Sequence, residues 1–298
     1  MKSWIKAFRL RTLPLAIAGW LVGISLAGND TTLNYVTAIL TLFTAILLQI
    51  LSNLANDYGD ASSGVDENRT GETRMVSSGK ISARAMKNAM VLFSLFSFIT
   101  GSYLLYLAFP DDWTSALIFL LIGLVGIGAA IKYTVGKNPY GYAGFGDVFV
   151  FLFFGIVLVF GTYYIQSAQM NWGILLPASS IGFFSVGVLN VNNIRDIESD
   201  RKAGKNSVPV RIGRERAIVY HKILLKGGML FSILFVFLNF RSWAGLLFIL
   251  VSFLFYKNIK AVATKPSQEL DPYLKQMAIS TLLFSVLFSI GQIASWFF

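Results

Sequence analysis

A chain of 298 residues with 55% hydrophobic and 13% charged residues carries about half the charged share of an ordinary soluble domain, which excludes that class and leaves a polytopic membrane protein. With no cysteine and a single histidine, His221, disulfides, thiol chemistry, iron–sulfur clusters and centres built on Cys or several His are excluded, so any metal is held by oxygen ligands. The net charge of +10 comes without a basic block interleaved with aromatics on a soluble domain; nucleic acid is excluded as a partner, and the charge is assigned to topology, anionic headgroups and an anionic substrate.

In chain order, the opening MKSWIKAFRLRTLPLAIAGWLVG reads as a basic lead into a retained first helix, since comparable apolar segments follow and no clear small-residue cleavage site ends it. A helix crossing the hydrocarbon core needs about 20 apolar residues. Nine runs meet that rule: 12–28, 35–55, 85–108, 114–131, 147–167, 173–191, 217–238, 243–258 and 275–297. His221, within the seventh, reads as an ordinary helix-start residue. The expected fold is all-α: nine transmembrane helices in one bundle over 1–298, with a central cavity and a cytoplasmic loop cap.

Lys and Arg fall on alternate connections. One side holds Lys2, Lys6, Arg9 and Arg11, then Arg69, Arg74 and Lys80, then Lys132 and Lys137, then a group from Arg201 to Arg216, then Lys260 and Lys265; the other holds almost only Arg241. The positive-inside rule puts the first side, with the N-terminus, in the cytoplasm and the C-terminus outside. A multi-pass protein of the cell membrane is expected, with the bilayer as its surroundings and no obligate protein partner evident.

Two cytoplasmic loops resemble each other and suggest pseudo-repeated halves. The first carries NLANDYGD and a following Asp66; the second carries NVNNIRDIESDRKAGK. Asn53, Asp57 and Asp60 are spaced i, i+4, i+7, and Asn192, Asp196 and Asp200 are spaced i, i+4, i+8, so each set shares one helical face. Carboxylates gathered at the mouth of an apolar cavity repel one another and need a cation. Asp57 and Asp60 facing Asp196 and Asp200 form a reasonable magnesium cage. Magnesium favours one or two carboxylates plus phosphate oxygens, and the flanking Arg69, Arg74 and Lys80 of the first cluster and Arg195, Arg201, Lys202 and Lys205 of the second point to a phosphate or diphosphate. Any one of these aspartates taken singly also reads as a helix cap or loop solvator; caps require neither duplication nor repetition along one face.

These paired motifs resemble those of the UbiA superfamily of intramembrane aromatic prenyltransferases, NDxxDxxxD after the second helix and DxxxD after the sixth. The likeness extends over nearly the whole chain. KYTVGKNPYGYAGFGD, FRLRTLPLAIAG and QILSNLANDYGD are similar to the branch that prenylates 1,4-dihydroxy-2-naphthoate in menaquinone synthesis. The chain departs at Gly64, where the general motif has Asp.

The resemblance implies Mg²⁺-dependent transfer of a polyprenyl group from its allylic diphosphate to an aromatic acceptor, with loss of diphosphate and carbon dioxide. It implies Asp57, Asp60, Asp196 and Asp200 as metal ligands. Lys137, Arg195 and Lys202 are candidate diphosphate contacts with Tyr133 as hydroxyl donor, and Asn53, Asn56, Asn192, Asn193, Arg69 and Arg74 complete the candidate substrate contacts. Tyr140, Phe149 and Phe151 would wall the allylic cation, the plain alternative being core packing. Asp147 would orient the acceptor hydroxyl or take its proton, the plain alternative being a helix N-cap. The Gly-rich stretch from Gly136 to Gly146 is a flexible hairpin, with no preceding strand and no GK[ST] of a nucleotide loop. Loops 61–80 and 201–213 are expected to close over the diphosphate. Two rivals remain: the same fold with another acceptor (4-hydroxybenzoate, homogentisate, haem, chlorophyllide or a glycerol-phosphate lipid), and a cation-coupled transporter, against which the one-sided placement of the acids argues.

Overall fold

The computed structural model describes residues 1–62 and 74–295; Asp66 and Arg69 lie outside the described residues. A short helix α1 (Lys2–Phe8) leads into α2 (Pro14–Asp30), started by the proline in its first turn, where the missing N–H costs nothing. There follow α3 (Tyr35–Ser62), α4 (Ala83–Ala108), α5 (Trp113–Lys132), α6 (Gly146–Ser167) and α7 (Trp172–Arg195). Two short helices, α8 (Ile197–Lys202) and α9 (Val208–Ile212), precede α10 (Arg214–Leu238), α11 (Trp243–Thr264) and α12 (Asp271–Ala294). Among the described residues eight helices are long and apolar enough to cross a membrane. The 17-residue α2 is at the lower end of the spanning length and supplies the ninth, so the expected bundle is observed, and the chain is a multi-pass membrane protein.

Local chemistry sets the ends. Ser82 and Asp112 cap α4 and α5 by accepting the amides of Ala85 and Ser115, as short polar side chains do at helix starts. The Ser115 hydroxyl and then its amide hold the Asp112 carboxyl below its ordinary range. The second run extends beyond its expected end at 55 to Ser62, so that Asp57 and Asp60 stand on helix and not in a loop. The sixth runs on to Arg195 and breaks at Asp196 (φ −95°, ψ 9°).

Packing forms two clusters. The larger joins α2, α6, α7, α10, α11 and α12; within it Phe184 stacks on Phe255 at 4.5 Å and meets Phe284 edge-on at 4.8 Å. The smaller joins α1, α3 and α4 around Leu51, Leu54, Met75 and Met86. Helix α7 is central and mostly buried, and α5 is peripheral, with few buried residues. A Cβ on Gly155 of α6 would stand 2.7 Å from both Ala178 O and Gly182 Cα of α7. Close approach of this kind is how helices pack where water gives no hydrophobic drive. Phe151, a candidate wall residue, is used in this contact: it packs on Phe183 and against Gly182, away from the cavity. His221 is buried and shares a 2.9 Å hydrogen bond through Nε2 with Asn258 Oδ1, so it joins α10 to α11 and does not mark a helix start.

Candidate active site

Between the clusters lies a cavity of about 360 Å³. On α3 its lining runs from Thr41 to Asp60, about 28 Å at the helical rise. The body is apolar, lined by Leu48, Leu105, Phe119, Ile127, Phe153 and Leu158 among others, and its charged lining residues are Arg9, Asp60, Arg74 and Lys205. Of the candidate site residues, Asn53, Asn56, Asp60, Arg74, Tyr133, Tyr140, Asn192 and Asn193 line it. A smaller polar chamber beside it is lined by Tyr133, Asp147, Asn193, Asp200, Lys205 and Ser207.

The four aspartates separate into two kinds. Asp57 accepts the amides of Met75 through Oδ2 and Val76 through Oδ1, both at 2.9 Å, and so clasps the segment that leads into α4. Asp196 pairs through both oxygens with Arg195 at 2.8 Å. Asp60 and Asp200 instead face each other across Lys205, whose Nζ lies 3.1 Å from Asp60 Oδ1 and 3.7 Å from Asp200 Oδ1. Arg74 Nη2 donates to Asp60 Oδ2 at 2.6 Å, and the Tyr142 hydroxyl donates to Asp60 Oδ1 at 2.8 Å. No group of three or more acidic or His side chains among the described residues is arranged to hold a metal. The Asp60–Asp200 pair does fit a hard cation: it is an all-oxygen donor set that already receives an ammonium.

The basic candidates are spread more widely than their sequence positions imply. Arg195 lies beside the cavity, not in its lining; it also pairs with Asp271 and donates to Asn192 Oδ1 at 2.9 Å. Asp271 in turn accepts both of its Arg11 bonds at 3.0 Å, which ties the N-terminal segment to α7 and α12. Lys137 and Lys202 are exposed and line neither space.

Aromatic groups form one wall. The Tyr140 ring stacks on Phe149 at 4.0 Å and meets Tyr133 edge-on at 5.4 Å, and Phe149 continues to Phe153 at 6.2 Å. Burial, followed by Asp147, Tyr140, Asp60 and Asp200 nearby, pushes the Tyr133 phenol above its ordinary value; burial does the same to Tyr140. Both therefore stay protonated and can donate. Asp147 does not cap α6. Its Oδ2 accepts the Tyr220 hydroxyl at 2.9 Å.

The hairpin expected to be flexible is held by its own turns: Gly141 N donates to Tyr133 O at 3.0 Å and Phe145 N to Tyr140 O at 3.2 Å. Asn206 N donates to Tyr142 O at 2.8 Å, and Arg211 to Ala143 O, so the 203–211 segment is docked on it. Tyr142 and Tyr220 are not among the site residues expected from the sequence, whereas Lys205 is expected as one of the basic residues around the second motif and is found between Asp60 and Asp200. Lys205 carried a signal, five residues after Asp200 in DRKAGK. Tyr220 carried none, lying 73 positions from Asp147.

A membrane bundle of nine spanning helices among the described residues, with an apolar cavity and two aspartate-bearing segments meeting at its mouth, defines a class. Residues 13–294 match the UbiA prenyltransferase family, and the chain belongs to it. A 1,4-dihydroxy-2-naphthoate octaprenyltransferase of Haemophilus influenzae is 42% identical, covering 98% of this chain and 96% of its own; one of Escherichia coli is 40% identical over 97% and 94%. The structure of a UbiA homolog from Archaeoglobus fulgidus bound to GPP and Mg2+ has a TM-score of 0.67 at 18% identity, covering 99% of this chain and 100% of that one. At that identity the likeness is one of fold.

Proposed function

We propose that this protein transfers a polyprenyl group from an allylic polyprenyl diphosphate to 1,4-dihydroxy-2-naphthoate, releasing diphosphate and carbon dioxide and giving demethylmenaquinol. It works in the cell membrane with its N-terminus and cavity mouth cytoplasmic and its C-terminus outside. The observation that carries the reading is a deep apolar cavity whose charged lining, Arg9, Asp60, Arg74 and Lys205, is at one end. A prenyl tail suits the body and a diphosphate suits the mouth. The naphthoate acceptor is supported by the names of the two relatives that match nearly the whole chain.

Asp60 and Asp200 would hold magnesium, which when bound neutralises charge developing on the leaving diphosphate. Arg74 and Lys205 bind the diphosphate oxygens, and Asn56, Asn192 and Asn193 add hydrogen bonds. As the allylic C–O bond breaks, its electron pair leaves with the diphosphate, and these fixed donors favour that charge separation. Tyr140 and Phe149 cover the remaining allyl cation with ring faces and exclude water. Tyr133 keeps its proton and donates at the same wall. Asp147, oriented by Tyr220, accepts a hydrogen bond from the acceptor hydroxyl and raises the ring's electron density. The ring forms the new C–C bond, and the carboxylate departs as carbon dioxide, returning its bond pair to the ring. Asp57, Asp196 and Arg195 hold the segments that carry these groups.

The test is purified protein with magnesium, an allylic diphosphate and a panel of aromatic acceptors, with products weighed by mass spectrometry. A decarboxylated prenyl naphthoquinol is expected. A naphthoate product that keeps its carboxylate contradicts the mechanism, and preference for 4-hydroxybenzoate moves the protein to another branch.

A further inference from the structure

Among the residues at the cavity mouth, Lys205 is placed by backbone and not by its ion pairs. Its amide donates to Asp200 O at 2.9 Å, and the next amide, Asn206 N, donates to Tyr142 O at 2.8 Å. Gly204 before it takes a left-handed φ of +73°, a conformation costly for other residues. The side chain is thus aimed inward with only 14% exposure. Its Nζ lies 4.7 Å over the Tyr142 ring centroid and between Asp60 and Asp200 at 3.1 and 3.7 Å.

Two carboxylates share one ammonium at this point. A divalent cation arriving alone would have to displace an ammonium from its carboxylates and sit beside it. A diphosphate changes that, because Lys205 and Arg74 can turn to phosphate oxygens and leave the carboxylates open.

We propose that Lys205 is an internal counter-cation that stands between the two aspartate motifs in the substrate-free protein, so that divalent metal is taken up together with diphosphate and not before it. The inference rests on the proposed reading for the ligand class. Linkage requires the converse: metal strengthens diphosphate binding by the factor by which diphosphate strengthens metal binding.

The experiment is equilibrium dialysis of the purified full-length protein against Mn²⁺, with and without inorganic diphosphate on both sides of the membrane, which cancels complexes formed in solution. For the wild type, diphosphate should tighten Mn²⁺ binding by about tenfold or more, within the usual range of coupling between sites. Lys205→Gln should bind Mn²⁺ alone about tenfold tighter than the wild type, and Lys205→Arg should behave like the wild type. Adding Asp60→Asn to Lys205→Gln should remove the gain. Wild-type protein that holds Mn²⁺ equally well without diphosphate overturns the proposal whatever the variants do, as does a monodisperse Lys205→Gln with unimproved affinity. Neither result touches the prenyl-transfer assay. Loss of that activity with the Mn²⁺ pattern intact would sink the proposed function alone.

Discussion

Asp57 and Asp60 are three residues apart on one helix and do different things. Asp57 spends both oxygens on backbone amides, whereas Asp60 receives Arg74, Tyr142 and Lys205 at the cavity. Asp60→Asn is therefore expected to lower kcat on the order of 10²–10³-fold, the scale for losing one preorganised electrostatic group, measured per mole of folded protein. Asp57→Asn turns an amide NH₂ toward a backbone N–H. It should cost about 1.5–3 kcal/mol of stability, as for a lost hydrogen bond to a charged group, and its activity loss should follow the misplaced 74–76 segment. A steady-state assay beside a melting curve separates the two. Arg195→Met should be the more damaging change, about 3–5 kcal/mol, because it removes the guanidinium that pairs with both oxygens of the buried Asp196 carboxylate. A melting point equal to the wild type would show that Arg195 is free to serve the substrate after all. The spacing of the aspartates was legible in the sequence; their division of labour was not, because it depends on where Met75 and Lys205 return in space.

At the scale of elements, α6 and α7 touch backbone to backbone, and this contact decides what the cavity wall looks like. Gly155 admits no Cβ without moving Ala178 O or Gly182. Residues Phe151–Phe160 of α6 form a π-helical stretch, a widened turn found often at functional positions. Phe153, Phe154, Val157 and Leu158 from that stretch line the cavity. Gly155→Val should force the helices apart and cost about 1–3 kcal/mol by overpacking, read as faster thermal inactivation in detergent. Hydropathy located every spanning run to within a few residues at most ends, since a lipid-crossing helix must be apolar over a fixed length. It could not locate helix ends that run past the membrane into polar surroundings. That is why the continuation of α3 through Asp60 and of α7 through Arg195 had to be observed.

At the scale of the whole molecule, the cavity's length and the orientation of the bundle are both measurable. Gly123 lines the cavity with nothing within 4 Å of the position a Cβ would take, so Gly123→Phe fills space without displacing the helix. It should lower kcat/KM for a long polyprenyl donor by about 10–100-fold, the range for steric exclusion, with geranyl diphosphate affected less. Unchanged donor preference would mean that the tail runs elsewhere. Because the chain has no cysteine, single replacements report topology without background. Ser78→Cys should be protected from a membrane-impermeant thiol reagent in intact cells and Asn171→Cys labelled, as the positive-inside distribution requires; the reverse pattern would invert the proposed orientation.

The sequence by itself determined the membrane class, the number and positions of the spanning helices, the charged face and the two aspartate motifs, because apolar length, Lys and Arg bias and helical spacing are properties of short stretches. Only the tertiary structure decided which carboxylates open to the cavity, which basic residue stands between them and which hydroxyl orients Asp147. Lys205 meets Asp60 across 145 positions and Tyr220 meets Asp147 across 73. Contacts of that kind are set by how helices pack against one another, and no local pattern encodes them.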